Sequence, residues 1–224
     1  MPEPLHSFRA RIWFESWTQQ SSEPVCDNFR FQYEISYTCC NCKEVLAREG
    51  HVAHMHTINP EHRPKRDRTD NTIIDIVHEL SRPIAVDKAY STPCKRKCSI
   101  SKRRVVSQTK FVRLPKYLIL RINRTCHDSA SSRIIKNQSC VRTPMSLNIS
   151  HAMATPCSAQ KATMSLVACV RHVGLAATSG HYTADCFRNN CWFRFDDDEV
   201  QPCVPSFEGA VMLMYHLLPM VLPQ

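Results

Sequence analysis

Polar and apolar residues alternate most strictly between Asn28 and Thr38. Every second position carries an aromatic or branched residue, and charged or polar side chains occupy the positions between them. A period of two predicts a β-strand with one face buried and the other in contact with solvent. The residues of the apolar face are Phe29, Phe31, Tyr33, Ile35 and Tyr37.

Three further segments have patterns that predict regular structure. Pro115 fixes a turn before a nearly continuous apolar run at residues 117–122, which is typical of a strand covered on both faces. Apolar residues recur on one side of a segment that ends at Leu80, which predicts a helix with Asn71 as its N-cap. A shorter strand is predicted at residues 145–149.

Two aromatic-rich segments flank residues 188–190, whose composition is typical of a tight turn, so we predict a β-hairpin. A two-residue turn sets His181 opposite Asp198, a three-residue turn opposite Asp197, and a four-residue turn opposite Asp196. Directly paired residues have Cβ atoms about 4.5–5.5 Å apart, so in each register a carboxylate can orient the imidazole. That arrangement is the base-and-orienter half of a nucleophilic triad. A surface histidine beside an acidic turn is the alternative.

The residues around His181 favour the first interpretation. Gly180 has no Cβ and would let a ligand backbone approach the site. Tyr182 and Trp192 are large aromatic residues on the two predicted strands. We therefore predict that Gly180, Tyr182 and Trp192 bind substrate beside His181.

Length and composition set the class of protein. A chain of 224 residues with 43% apolar content is long enough for one large domain or two small ones. The first residues have neither the basic nor the apolar region of a secretory signal. The most hydrophobic tract, at residues 210–222, is too short and too interrupted to span a bilayer. We expect a cytoplasmic or nuclear protein that does not contact membranes.

Thirteen cysteines are present, and in a reducing compartment clustered cysteines more often bind metal or are buried than form disulfides. Cys39 and Cys42 have the spacing of half a zinc knuckle. Cys94 and Cys98 form a second pair, which is one residue wider. These four thiols are candidate ligands of a structural zinc ion, and the wider second spacing leaves the metal-free alternative open.

The net charge of +9 comes largely from three basic runs, at residues 63–68, 95–97 and 102–104. Such runs are usually solvated loops. The more specific but less common alternative is that they contact nucleic acid or form a nuclear import signal. The runs lie in predicted loops rather than on one element, and no nucleic-acid-binding module is visible. A basic zinc module that binds nucleic acid is therefore the weakest of the hypotheses for function.

Residues 165–215 resemble the C-terminal histidine box of the ubiquitin-specific proteases, which are cysteine-type deubiquitinases. In that family, His-x-Gly at the end of a strand precedes Gly-His-Tyr, and a Trp, an aromatic-Asp-Asp and a hydrophobic residue follow before a final apolar strand. The strand before Cys39, the cysteine pairs and the turn at Pro115 also resemble the fingers of that family and the strand that follows them. The residues that match the box are 172–174, 180–182, Trp192, 195–197 and Val200.

The resemblance implies an α+β fold of the papain-like cysteine protease kind, mostly antiparallel β, with fingers and palm and with the helical thumb largely missing. It implies a remnant at residues 1–25 and a partial protease domain at residues 26–224. Within that domain, the fingers would span about residues 28–112 and the palm about residues 113–218.

The resemblance also implies roles for individual residues. His181 would be the general base, Asp196 would orient it, and Asp197 would have a supporting polar role. The implied partner is ubiquitin or a ubiquitinated protein, and the implied cofactor is a structural zinc ion held by the four cysteines.

In the family, the nucleophile lies upstream of the fingers, where an Asn and a Cys open a helix. None of the 38 residues before Cys39 forms such a box. Cys26 comes directly before a predicted strand, so it lacks the helix dipole and the backbone donors that lower a thiol pKa and bind an oxyanion. We predict that this chain alone does not hydrolyse ubiquitin conjugates at a normal rate. Its function would be that of a deubiquitinase portion or of a non-catalytic ubiquitin-binding scaffold.

Overall fold

The computed structural model describes residues 24–60, 73–86, 94, 98, 104–128, 133–155 and 162–218. Within these residues, all but two of the strand pairs are antiparallel, and helices are few and short. The strands are β1 Phe31–Cys39, β2 Val45–Ala53, β3 His56–Ile58, β4 Ile73–Asp75, β5 Ile84–Ala85, β6 Val105–Arg113, β7 Tyr117–Ile122, β8 Thr125–Asp128, β9 Arg133–Lys136, β10 Cys140–Arg142, β11 Ser146–Asn148, β12 Thr163–Val173, β13 His181–Arg188, β14 Cys191–Asp196, β15 Glu199–Pro202 and β16 Ala210–Leu217. The helical segments are α1 Pro24–Asp27, α2 Ile76–Glu79 and the 3-10 turn Ser150–Ala152.

The first sheet has four strands in the order β2–β1–β6–β5. The strand predicted from Asn28 is confirmed as β1, although it begins at Phe31 because the chain turns after α1. Residues 33–38 are half-buried on both faces, so the predicted solvent face is wrong for most of the strand. Cross-strand pairs cover that face, such as Glu34, which accepts a hydrogen bond of 2.6 Å from Arg48 on β2.

The second sheet follows the order β15–β14–β13–β12–β16–β7–β3, and β11 also pairs with β12. The run predicted at residues 117–122 is confirmed as β7, whose alternate residues are buried and half-buried. Between β2 and β5 of the first sheet, the chain crosses over to add β3 to the edge of the second sheet, parallel to β7. One hydrophobic cluster joins the two sheets and includes Phe31 and Phe111 from the first and Leu120, Leu213 and Tyr215 from the second.

The helix predicted from Asn71 to Leu80 is wrong in its first half. β4 occupies that part and pairs in parallel with β10, and Asn71 lies outside the described residues. The helix is the single turn α2, capped by the Asp75 carboxylate, which accepts from the N–H groups of Val77 and His78 at 3.0 and 3.3 Å. An isolated short helix is marginal, whereas β4 gains a ladder with β10 and buries Ile74.

Several sequence predictions fall outside the described residues. Residues 1–23 are among them, as are the basic runs at 63–68 and 95–97 and the first two residues of the run at 102–104. Among the residues that the structure describes, no helix has both the length and the apolar character that crossing a membrane requires.

Candidate functional site

The predicted hairpin is confirmed, with the shortest of the three turns. β13 and β14 are joined by Asn189 and Asn190, and Arg188 pairs with Cys191. Both asparagines have positive φ, 51° and 62°, as a type I′ turn requires. Asparagine tolerates this left-handed conformation better than most residues, so the turn sequence itself selects the register of the hairpin.

The partner of His181 is Asp196, which the predicted register does not place opposite it. The two-residue turn predicted Asp198, but the ladder ends at the pair Ala184–Phe195, and the chain turns at residues 197–198 into β15. His181 Nε2 instead contacts Asp196 Oδ1 diagonally across the hairpin. Diagonal neighbours lie about 7–8 Å apart, within reach of an imidazole and a carboxylate. The expectation of direct opposition is therefore wrong, although a carboxylate does meet the ring.

The contact with Asp196 determines how the His181 ring can act. The hydrogen bond to Asp196 raises the pKa of His181, partial desolvation opposes this, and the charges of Asp196 and Asp197 add to the rise. Because Nε2 donates its proton to Asp196, Nδ1 is the ring atom that can accept another. The two side chains are 46% and 42% exposed, so a ligand can reach the ring.

Asp197 lies in the turn between β14 and β15, with a positive φ of 50°. Its carboxylate belongs to a group with His181 and Asp196 whose oxygen and nitrogen atoms all lie within 4.8 Å of one another. An aspartate is a favoured residue in such a turn, which accounts for its presence without a role in chemistry. Its supporting polar role stays a prediction.

The three predicted substrate-binding residues lie in different surroundings. A Cβ at Gly180 would clash with the His172 ring, so internal packing by itself requires glycine there, and the approach of a ligand backbone to Gly180 stays a prediction. Tyr182 is exposed and its ring lies 4.8 Å from that of His172. Trp192 pairs with Phe187, six positions from His181 or about 20 Å along the strand, and packs against the core. The structure therefore does not bring Trp192 beside His181.

Sequence reasoning missed an ion pair on the same face of the hairpin. Asp185 is fully buried and accepts from Arg194 Nε and Nη2 at 2.8 and 3.0 Å, and from Ser206 N–H at 2.9 Å. Burial alone would raise the pKa of Asp185, but the hydrogen bonds from Arg194 and Ser206 hold it below its ordinary value. An acidic residue inside a strand, directly opposite an arginine in the predicted two-residue register, was the signal that could have revealed it.

The four candidate metal ligands come together. The Sγ atoms of Cys39, Cys42, Cys94 and Cys98 all lie within 4.8 Å of one another. Cys39 ends β1, and a tight turn follows in which Lys43 has a φ of 62° and donates its N–H to Cys39 O at 2.8 Å. This turn brings the first two thiols to the same side of the chain, as a knuckle requires.

The chemistry of the cluster fits a zinc ion. Zinc bonds of about 2.3 Å to four thiolates place the sulfur atoms about 3.8 Å apart, which agrees with the grouping of the Sγ atoms. The backbone N–H of Cys42 lowers the pKa of the Cys39 thiol to about 7. The hydrogen bond with Cys42 and burial raise the pKa of Cys98 to about 12. Four crowded thiols cannot all ionise without a cation, and a bound metal ion removes this restriction.

Comparison with curated proteins gives relatives of one kind. The chain is 30% identical over 160 residues to ubiquitin carboxyl-terminal hydrolase 10 of Rattus norvegicus, a match that covers 65% of this chain and 19% of that protein. Ubiquitin carboxyl-terminal hydrolase 24 of Arabidopsis thaliana is 35% identical over 102 residues, 44% of this chain and 18% of the relative. The chain therefore spans about a fifth of the length of these curated relatives.

Solved structures share the fold. The SAGA Ubp8/Sgf11/Sus1/Sgf73 DUB module bound to ubiquitin aldehyde matches with a TM-score of 0.71 at 18% identity, over 97% of this chain and 50% of that chain. The SAGA DUB module bound to monoubiquitin matches with a TM-score of 0.69 at 19% identity, over 97% and 49%. The predicted papain-like protease fold, mostly antiparallel β with few helices, is confirmed by this likeness.

Nearly the whole chain also matches one protein family. Residues 4–215 correspond to the ubiquitin carboxyl-terminal hydrolases, and this range includes the hairpin with His181 and Asp196 and all four clustered cysteines. The match extends well beyond the histidine box, so it does not depend on a short motif. The chain belongs to the ubiquitin carboxyl-terminal hydrolase family.

Proposed function

We propose that this chain is the fingers-and-palm portion of a thiol-dependent deubiquitinase, in which His181 is the general base and Asp196 orients it. The observation that carries the proposal is the hydrogen bond between His181 Nε2 and Asp196. It fixes the tautomer that leaves Nδ1 able to accept a proton, and the ring is exposed enough to meet a substrate. Membership of the family supplies the reaction class.

In this reaction, His181 Nδ1 takes the proton of a cysteine thiol. The sulfur then bonds to the carbonyl carbon of the C-terminal glycine of ubiquitin, and the carbon–nitrogen bond to the substrate lysine breaks. The proton held by His181 leaves with the amine, and water cleaves the thioester in a second step. Asp196 stabilises the imidazolium that forms between these transfers.

The source of the thiol decides between two forms of this function. Among the described residues, the His181 ring hydrogen-bonds to Asp196 and to no cysteine. A chain that holds ubiquitin without a thiol at Nδ1 acts as a non-catalytic binding relative, which is the second candidate function. Both forms share ubiquitin as the partner, and structural neighbours solved with ubiquitin aldehyde and with monoubiquitin support that choice.

The test separates binding from turnover in the 224-residue chain. We expect saturable binding of monoubiquitin by calorimetry, and little release of fluorophore from a ubiquitin C-terminal coumarin amide. His181→Gln should keep the binding, because the exposed ring is not needed to fold the hairpin. Failure of the wild-type chain to bind ubiquitin would contradict the proposal. Labelling of a cysteine by a ubiquitin C-terminal electrophile, lost in His181→Gln, would establish the catalytic form and contradict the expected low turnover.

We further propose that Cys39, Cys42, Cys94 and Cys98 hold a structural zinc ion. The purified chain should contain roughly one zinc per molecule by elemental analysis. Cys94→Ser should lose the metal and lower the midpoint of thermal unfolding, since metal-binding free energy contributes to folding. Cys191→Ser, which changes an exposed cysteine at the start of β14, is the matched control. A metal-free chain as stable as the chain loaded with zinc would contradict this proposal.

A further inference from the structure

Arg124, after β7, anchors a segment that joins β9 to β10. Its side chain is only 4% exposed, and Nη1 donates to Asn137 O and Ser139 O, each at 2.9 Å. Nε donates to Ala210 O at 2.5 Å, where β16 begins. The Asn137 N–H donates back to Arg124 O at 2.6 Å. Residues 136–139 are therefore fixed against the core of the second sheet.

From this anchored segment, two side chains reach the loop that leads to His181. Lys136 Nζ donates to His172 O at 2.9 Å and to Gly174 O. Gln138 Nε2 donates to Leu175 O at 2.9 Å. Within the described part of the chain, main-chain hydrogen bonds outside the strand ladders do not involve residues 174–180. The two side chains therefore supply the polar contacts that hold this loop at its start.

The far end of the same loop is packed closely. A Cβ at Gly180 would meet the ring of His172, and Gly180 directly precedes His181. His181 pairs with Val173 in the last pair of the β12–β13 ladder. A shift of Gly174 or Leu175 would therefore act directly on the last strand pair, which carries His181. The diagonal reach from His181 to Asp196 depends on that pair.

We propose that Lys136 and Gln138 are positioning residues, which hold the loop of residues 174–180 so that His181 meets Asp196. Arg124 contributes indirectly, because it fixes residues 136–139, from which both side chains extend. The inference rests on the proposed function only in taking His181 as the general base. The contacts of Lys136 and Gln138 do not depend on that role. Neither side chain needs to touch substrate for this effect.

The decisive test is a pH titration of His181 in the Lys136→Met variant of the 224-residue chain, in which the NMR signals of the imidazole ring report its protonation. Loss of positioning weakens the bond to Asp196, so the pKa of His181 should fall by about half a unit. Loss of the lysine charge alone would have the opposite sign, because a nearby positive charge favours the neutral imidazole. The neighbouring His172 shows this sign: burial lowers its pKa, and the charge of Lys136 lowers it further. The other ionisable groups that face His181 are Asp196 and Asp197, which are unchanged in this variant.

Two variants serve as controls. Lys136→Arg keeps a charged donor, so at least half of the fall in the pKa of His181 seen in Lys136→Met should be absent in this variant. Lys116→Met removes an exposed lysine beside Leu217, at the opposite end of β16 from Ala210, and should leave His181 unchanged. At about 3.3 Å per residue, the length of β16 separates the two ends by more than 20 Å.

Gln138→Leu keeps the test valid if Lys136→Met does not fold. Gln138 is exposed, so its loss should not unfold the chain, and the pKa of His181 should fall by a smaller amount. An unchanged or raised pKa of His181 in Lys136→Met and in Gln138→Leu would overturn it. Failure of the wild-type chain to bind ubiquitin would overturn the proposed function and leave this readout intact.

Discussion

Two carboxylates lie on one face of the β13–β14 hairpin and have opposite surroundings. Asp185 is fully buried, binds Arg194 through two hydrogen bonds and also accepts from Ser206 N–H. Asp196 lies two residues beyond Arg194 on β14, is 42% exposed and binds His181. The segment that contains Ser206 covers the first pair and leaves the second open to solvent.

The difference separates a carboxylate that serves stability from one that is accessible for the chemistry proposed for Asp196. A buried carboxylate with three donors is held ionised and cannot exchange its partner without exposing an unpaired charge. An exposed carboxylate contributes little to stability, so its geometry is free to serve proton transfer. Removal of each carboxylate should therefore change different measurements, and the following predictions run from the largest expected effect to the smallest.

Asp185→Asn should destabilise the chain by about 3–5 kcal/mol, because it leaves the partly buried Arg194 guanidinium without its counter-charge. Urea unfolding at pH 7 measures the loss. Glu199→Gln, which changes an exposed carboxylate on the neighbouring strand, is the control and should have little effect. Replacing Asp185 by Val together with Arg194 by Met should recover part of the stability, although Ser206 N–H then loses its acceptor. Equal stability of Asp185→Asn and wild type would remove the contrast between the two pairs.

His56 extends the comparison from carboxylates to imidazoles. Its ring lies 5.5 Å from that of Phe111, and burial lowers its pKa to about 4. Between pH 6.5 and pH 4 the unfolded chain binds a proton that the folded chain does not, so stability falls as the pH falls. The loss should reach about 3 kcal/mol at pH 4.

Urea unfolding at pH 7 and pH 4.5 tests the role of His56. His56→Gln should flatten this dependence, because the variant has no imidazole to protonate. His51→Gln, an exposed histidine on β2, is the matched control and should keep the wild-type slope. The same slope in all three proteins would show that burial of His56 is not its cause.

Asp196→Asn should leave the midpoint of urea unfolding nearly unchanged at pH 8, because both side chains of the pair are exposed and His181 is then largely neutral. The pKa of His181 should fall toward its ordinary value, since the hydrogen bond that raises it is lost. The raised pKa stabilises the folded chain below the ordinary histidine pKa, and this contribution is lost as the pH rises through the raised value. Ring NMR titration measures the shift, and Asp198→Asn is the control from the same turn. A large loss of stability in Asp196→Asn would mean that the exposed pair is structural after all.

Local signals account for most of what could be predicted from the sequence. The Asn189–Asn190 turn depends on the backbone preference of its own residues, so the hairpin followed from composition. The resemblance to a known family predicted Asp196 as the partner of His181, whereas the register of the two-residue turn predicted Asp198. The diagonal contact depends on where β14 ends, and a rule of direct pairing does not include that.

The features that sequence reasoning missed depend on distant segments. The helix expected from Asn71 lost its first half to pairing with β10, more than sixty residues away. The cover over Asp185 comes from Ser206, and Lys136 binds carbonyl oxygens 36 and 38 residues away. No periodicity within a short window contains such contacts, so they become visible only when the sheets are assembled.

The crossover at β3 ties the two sheets together mechanically. The chain leaves the first sheet after β2, adds β3 to the outer edge of the second, pairs β4 with β10, and returns to the first sheet at β5. Only two residues separate the end of β2 from the start of β3, so the sheets cannot move apart at this point unless β3 leaves β7 or the end of β2 unpairs. Denaturant should therefore melt both sheets in a single step.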